Sequence, residues 1–448
     1  EAEDNVRSSI AIGDVDLDGN NELVFGSYDN RLYIISALGQ QEAVYWQPGI
    51  IEGPPALRDL DGDGDLEIIF TTQNGSSGDL FAIHHNGEDV AGFPAEIDEK
   101  MRVGPAVGDL DDDGVVDIVI VTWDDNIYAL DAFGNIKSGF PVTSTNRFNC
   151  APTLADLDGN GTLEIIAGND SGLLHVLFHD GSEMVTFDTG DDIRGGISVS
   201  DLNNDGSLEI LFSGYDDMVH VWNPFSEEEL EGWPIDMGSN SLTGPITADL
   251  DNDGDLEVIA AIKSGTVYVL HHDGSSFSGF PANLPGTIES TPAIGDLDED
   301  NNYELIFGTT QGLQVLDIKS DKGDLESWKM HRSNAYRIGV YGSSFLSINQ
   351  NNGSLPKEFK VSSNYPNPFN PSTKIDVEIA KRSHLDISVF DLNGRLISNI
   401  YNNNQLPGVY TFTWSGKDKT GQPVSSGVYF IQVKSGSNLH SQKVAFMK

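Results

Sequence analysis

The chain has 448 residues and a formal charge of −45, with 25 Lys and Arg against 70 Asp and Glu. Residues 1–354 carry 14 basic and 64 acidic side chains, whereas residues 355–448 carry 11 and 6, so an acidic body is joined to a mildly basic tail. The body has no basic groove to release phosphate counterions and nothing to attract an anionic membrane. No run of about 18 apolar residues is present to span a bilayer, and the single Cys150 excludes an intrachain disulfide. No leader is visible at Glu1, which suits a cytosolic chain and a mature form equally.

In chain order, an acidic nonapeptide recurs seven times. It begins at Asp14, Asp59, Asp109, Asp156, Asp201, Asp249 and Asp296, at intervals of 45, 50, 47, 45, 48 and 47 residues. That period, with strand-like sequence between the marks, predicts a β-propeller over residues 1–340 with seven blades. Repeat two shows the plan. A short strand at Ala56-Leu57 enters the acidic loop, and Glu67-Ile68-Ile69-Phe70 leaves it as an apolar run suited to burial on both faces. A third strand, at residues 79–83, ends before the turn pair Asn86-Gly87. Gly92-Phe93-Pro94 then opens a fourth strand, outermost because Pro belongs at an edge or a strand start.

Four antiparallel strands per blade are therefore expected. The signature returns at Gly139-Phe140-Pro141, Gly232-Trp233-Pro234 and Gly279-Phe280-Pro281, its aromatics placed to wedge between blades. Residues 325–331 are expected to supply the last fourth strand of repeat seven, in preference to the poor strand sequence at residues 1–5. Cys150 reads as a small buried strand residue. His84-His85, His271-His272 and His179 all precede Asn-Gly or Asp-Gly turns and read as scaffold.

Residues 341–356 form an Asn/Ser/Gly-rich linker. Residues 357–448 then alternate apolar and polar residues in runs at 374–379, 384–390, 409–414, 427–433 and 441–446, which predicts a small immunoglobulin-like β-sandwich. The fold class is all-β throughout.

Positions one, three, five and nine of the nonapeptide offer side-chain oxygens to a common centre, and position seven presents its carbonyl. Position six is Gly in six copies and Asn301 in the seventh, residues that tolerate the left-handed turn needed to wrap the loop. The candidate ligands are Asp14, Asp16, Asp18, Asn20 and Glu22 in repeat one, then Asp59, Asp61, Asp63, Asp65 and Glu67 in repeat two. Repeat three offers Asp109, Asp111, Asp113, Val115 and Asp117, and repeat four Asp156, Asp158, Asn160, Thr162 and Glu164. Repeat five offers Asp201, Asn203, Asp205, Ser207 and Glu209, and repeat six Asp249, Asp251, Asp253, Asp255 and Glu257. Repeat seven offers Asp296, Asp298, Asp300, Asn302 and Glu304.

Five or six hard oxygens without His or Cys suit Ca²⁺, up to seven ions in all. Crowding so many carboxylates without a cation raises their pKa values and costs stability. The fourth, fifth and seventh loops are expected to bind most weakly.

These loops resemble the calcium-binding FG-GAP or VCBS repeats of integrin α-subunits and bacterial secreted propellers, over about residues 7–340. In that family positions one, three, five and nine and the carbonyl of seven are the ligands, and here position nine is Glu rather than Asp in all copies but Asp117. The tail segments Asn364-Tyr365-Pro366-Asn367-Pro368-Phe369-Asn370-Pro371, Val389-Phe390-Asp391-Leu392-Asn393-Gly394-Arg395 and Lys443-Val444-Ala445-Phe446-Met447-Lys448 resemble the C-terminal sorting domain of type IX secretion cargo. A flagellar hook-cap immunoglobulin-like domain shares parts of that motif. The tail's resemblance to the sorting domain implies handling by type IX secretion machinery, and a secreted or outer-surface location in a Bacteroidota-like bacterium.

No catalytic constellation stands out. Polysaccharide lyases with similar loops carry long insertions that repeats of 45–50 residues leave no room for, so an enzyme reading ranks last. Two readings remain: a binding or adhesion module for a glycan or a surface protein, and a structural surface component that self-assembles.

Overall fold

The computed structural model describes residues 2–341 except 324 and 326, and residues 359–447 except 363, 366, 370, 371, 380–382, 393, 406, 407, 420, 421, 423, 436 and 437. The chain divides into two compact units, Glu1–Ser344 and Phe345–Lys448. The linker expected at 341–356 falls outside the described residues from 342 onward. Every element among the described residues is a strand.

The first unit builds seven separate antiparallel sheets, one per acidic nonapeptide. The first strands are Ala11–Gly13, Ala56–Arg58, Ala106–Gly108, Thr153–Ala155, Ser198–Ser200, Ile246–Ala248 and Ala293–Gly295. The second strands are Glu22–Gly26, Glu67–Thr71, Asp117–Val121, Glu164–Gly168, Glu209–Ser213, Glu257–Ala261 and Glu304–Thr309. Each acidic loop joins the two. In repeats two to six the second strand is buried along its whole length. The reason is packing on both faces: Leu32, Ile34, Ile51, Leu57, Ile68 and Phe70 form one core between the first two sheets, and Phe212, Trp222, Val176 and Leu174 one between the fourth and fifth.

Outer strands depart from the expected four per sheet. Repeats one, three, four and six have four strands. The fourth strands of repeats three and six, Val142–Thr143 and Ala282–Asn283, are only two residues long and start directly after the Pro of the signature. Repeat five has two short outer strands, Glu228–Glu229 and Ile235–Asp236, both paired with Met218–Asn223. In repeat two the expected strand after Gly92-Phe93-Pro94 shrinks to isolated bridges, Leu80 with Ala95 and Ile83 with Asp89. The signature's Gly is fixed by the next repeat: a Cβ on Gly92, Gly139 or Gly232 would lie 2.0–2.1 Å from the carbonyl oxygen of Phe133, Asp180 or Asp273. Trp233 bears out the wedge, packing among Leu202, Leu256 and Val258 and donating its Nε1–H to His272 O of the next repeat at 2.9 Å.

The expectation for repeat seven is corrected. Its sheet has three strands, and the described residues among 325–331 do not pair with the outer strand Gly312–Asp317. They begin instead a segment that runs past the first strands of the other repeats. Thr247 N–H donates to Trp328 O, Ile294 to Lys329 O, Ile12 to Ala335 O, Leu57 to Tyr336 O, Val107 to Ile338 O and Leu154 to Gly339 O, all at 2.8–3.0 Å. Six of the seven first strands therefore satisfy an inward-facing amide on this one segment. Arg332, fully buried, donates to Pro105 O, Pro152 O and Arg337 O, and Arg337 donates to Ile10 O. Cys150 is buried as expected, its thiol donating to Gly195 O at 2.8 Å.

The second unit is a two-sheet sandwich. Lys360–Val361, Thr373–Ile379 and Gly408–Trp414 form one sheet, and Leu396–Gln405, Ser383–Asp391, Gly427–Ser435 and Asn438–Phe446 the other. Ile375, Val377, Leu385, Ile387, Val389, Ile431, Val433 and Val444 fill the space between them. Asn367 ties the motif segment to the last strand, accepting from Ala445 N–H at 2.9 Å and donating to Lys443 O at 3.0 Å. Phe369 then stacks on Trp414 and Phe446.

Candidate metal loops and the opposite rim

All seven loops close in one way. The backbone N–H of position two donates to one oxygen of the position-nine carboxylate, from Val15 to Glu22 through Leu297 to Glu304, at 2.6–3.2 Å. The position-nine acids are at most 5% exposed. Position one accepts N–H groups from the loop's own turn, as Asp14 does from Asp18 and Gly19 and Asp156 from Asn160 and Gly161. Position five accepts the N–H of position seven, as at Asp63–Asp65 and Asp205–Ser207. The loop backbone is therefore held by its own carboxylates.

What the backbone leaves over tests the fit to a cation. Glu67 Oε1, Glu164 Oε1, Glu304 Oε1, Asp65 Oδ1, Asp111 Oδ1, Asp251 Oδ1 and Asp296 Oδ1 are buried without a hydrogen-bond donor. Ligand atoms of Asp14, Asp16 and Glu22, of Asp109, Asp111 and Asp117, and of Asp61, Asp63, Asp65 and Glu67 lie within 4.8 Å of one another in each group. Position five joins its group only in repeat two among these, and there position seven contributes the Asp65 side chain rather than the expected carbonyl alone. Burial, reinforced by neighbouring carboxylates, pushes Glu22 and Glu164 up to about 7 and Glu67 and Glu257 up to about 8. Unpartnered carboxylate oxygens facing one another at this spacing suit a hard divalent cation.

Two side chains outside the nonapeptide enter this picture. In repeat three Lys137 Nζ lies 2.6 Å from Asp117 Oδ2 and 3.1 Å from Asp111 Oδ2, so an ammonium spans two of the candidate ligands. Lys322 pairs with Asp296 in repeat seven. The sequence carried one signal for this, the scarcity of Lys and Arg in the body. The histidines read as scaffold also reach the loops: His84 Nδ1 is 3.1 Å from Glu67 Oε1, and His271 Nδ1 is 3.0 Å from Glu257 Oε1.

At the opposite ends of the strands, where second strands turn into third and each sheet connects to the next, the chemistry reverses. Trp123 has Lys100 Nζ 3.7 Å from its ring centroid, with the Arg147 and Arg102 guanidinium carbons at 4.6 and 4.8 Å. Its Nε1–H donates to Asn149 Oδ1 at 2.8 Å. Arg102 is paired with Glu52, and Arg147 and Arg194 share Asp170. Burial, then Arg102 and Arg147, hold the Lys100 ammonium below its ordinary range. Three of the body's 14 basic residues thus surround one half-buried indole. The sequence did not reveal this, because Lys100 and Arg102 come from one connection and Arg147 from the next.

Comparison with known proteins agrees with the architecture. Residues 230–307 match the FG-GAP-like repeat family, and residues 364–438 match the FlgD Ig-like domain family. No curated protein matches the chain. Among solved structures the chain is similar to Saccharomyces cerevisiae Sqt1, with 13% identity over 66% of this chain and 81% of that one and a TM-score of 0.52. It is also similar to BBS1N in complex with ARL6DN, with 14% identity over 71% and 94% and a TM-score of 0.49, and to the WD40 beta propeller domain of Doa1, with 13% identity over 71% and 94% and a TM-score of 0.45. The chain is an all-β protein whose first unit is built of β-propeller-like repeats, residues 230–307 matching FG-GAP-like repeats, and whose residues 364–438 match the FlgD Ig-like domain.

Proposed function

We propose that the first unit is a seven-bladed, calcium-stabilised propeller that acts as a secreted or surface-exposed binding module. The unpartnered buried oxygens of the acidic loops carry the calcium reading. Each ion would lie between the first and second strands of its repeat, neutralising carboxylates that burial otherwise disfavours. Thermal unfolding with calcium and with EDTA tests it. Each site at 100 times its dissociation constant adds about 2.7 kcal/mol, so several occupied sites shift the midpoint by on the order of 10 °C or more. An unchanged midpoint rejects the reading.

The ligand surface is the rim opposite the calcium loops. Lys100 on Trp123, beside Arg102 and Arg147 that Glu52 and Asp170 already pair, favours a ligand bearing a carboxylate or sulfate, and a surface or matrix glycan with acidic sugars supplies one. A glycan array in calcium, repeated with Lys100→Ala and Arg147→Ala, checks this. Hits confined to acidic glycans and lost in both variants support the rim, while hits that both variants retain place the ligand elsewhere. The second unit would serve export through type IX secretion machinery. Its deletion from the chain expressed in a type IX-competent bacterium should leave the first unit inside the cell.

Self-assembly is favoured by one specific observation. The outer strand Gly312–Asp317 of repeat seven exposes Leu313 and Val315, and no described residue pairs with its free edge. Light scattering of the wild type and of Val315→Lys separates the two readings, since only assembly through this edge predicts oligomers that the variant loses.

A further inference from the structure

We propose that repeat two holds a mixed nitrogen–oxygen metal site, with His84 as a ligand, that prefers a first-row transition cation to Ca²⁺. The inference rests on the reading that the acidic loops bind cations, and adds a different ion at one of them. The residue at issue sits across the hairpin from position nine. Register pairs Glu22 with Ser36 and Glu304 with Asp317, and the corresponding partner is Asn223 in repeat five, whose amide donates to Glu209 Oε1. Only repeats two and six place an imidazole there.

In repeat two the ligand atoms of Asp61, Glu67 and His84 lie within 4.8 Å of one another; Asp251, Asp253 and His271 do the same in repeat six, but there Glu257 Oε1 already accepts a hydrogen bond from His271 Nδ1 at 3.0 Å. Glu67 is fully buried. Its Oε2 accepts the Leu60 N–H, while Oε1 accepts no hydrogen bond and points into the group. An acidic cluster alone is ordinary in this protein. An orphaned, fully buried carboxylate oxygen beside an imidazole nitrogen at 3.1 Å is not.

The chemistry separates this site from the rest. Ca²⁺ is a hard cation that takes oxygen ligands, whereas imidazole with carboxylates suits Mn²⁺, Co²⁺, Ni²⁺ or Zn²⁺, with affinity generally rising along the first row. The imidazole binds as the neutral base, any proton it carries passing to solvent. Neighbouring pairs, His272 with Asp255 at 3.1 Å and His85 with Asp65 at 3.7 Å, flank both groups.

Co²⁺ serves as the probe, since its visible absorption reports nitrogen ligation without any activity. The metal-free full chain is titrated with Co²⁺ in millimolar Ca²⁺ and binding is followed by absorbance and calorimetry. One equivalent of Co²⁺ should persist against Ca²⁺, and His84→Ala should weaken it by more than about tenfold, the least that loss of even an outer partner costs a metal site. Ca²⁺ binding at the other repeats should be unchanged in that variant. Displacement of all Co²⁺ by Ca²⁺ in the wild type overturns the proposal without recourse to a variant, as does full retention in His84→Ala. If one Co²⁺ persists but no Ca²⁺ binds anywhere, the calcium reading fails and this one stands.

Discussion

The position-nine carboxylate has two tasks at the scale of the residue, and substitution separates them. One oxygen holds the N–H of position two, and the other faces the cluster. Glu67→Gln keeps an acceptor for Leu60 but removes the charge. It should weaken calcium binding at repeat two while leaving the EDTA midpoint unchanged or higher, because a buried carboxyl with a raised pKa is no longer present. Glu67→Ala loses the acceptor as well and should destabilise by about 1–3 kcal/mol with or without calcium. Calorimetric titration and thermal melts on the two variants check both statements.

His220 gives the pH dependence. Burial alone would lower its pKa, but Asp216 at 2.6 Å and Glu229 at 2.5 Å overcome this and raise it to about 9. A histidine raised in the folded state contributes stability that is complete below about 6.5 and is lost as pH rises through 9. The melting midpoint should therefore decline between those values by a component that His220→Gln abolishes. Neither partner was legible in the sequence, since the clamp depends on hairpin register: Asp216 lies in the turn before the His220 strand and Glu229 on the outer strand paired with it.

Among elements, legibility followed burial. Second strands announced themselves as apolar runs such as Ile118-Val119-Ile120, because both faces are covered along the middle of the strand. Outer strands did not, since two residues such as Val142–Thr143 carry no periodicity. In the sandwich the alternating runs gave five strands, while 396–405 lay hidden among Asn residues. The signature glycine was legible as a mark but not as a cause. Gly139 has φ +95° and its Cβ position is blocked by Asp180 O, whereas Gly279, with φ +93°, faces open space. Gly139→Ala should cost more than Gly279→Ala, which bears only the backbone term of about 1–2 kcal/mol. Chemical denaturation of the two variants measures the difference.

For the whole molecule, the acidic residues concentrate in one compact unit and the basic excess in the other, since an acidic repeat array and a basic sandwich obey different local rules. The acidic loops were legible because seven copies in register leave little to accident. What joins the sheets was not. Residues 328–341 have no strand pattern, since six of their carbonyls each meet a different sheet. Arg332 anchors that segment through three carbonyls, and Arg332→Leu leaves them buried and unpaired. A loss of about 3 kcal/mol or more is expected by denaturant unfolding, felt across the first unit rather than in one repeat.

That segment also sets an order of events in time. Each sheet pairs strands a few residues apart and can form as soon as its own repeat is available, but the residue that meets Ile10 lies 327 positions further on. A chain emerging N-terminus first therefore carries nearly complete sheets with apolar flanks and no common anchor until its last turns around 340 arrive. Contacts so distant in sequence are formed slowly, and the interval before them is when the protein is most exposed to aggregation. Maturation is decided at the end of the first unit, however early its pieces form.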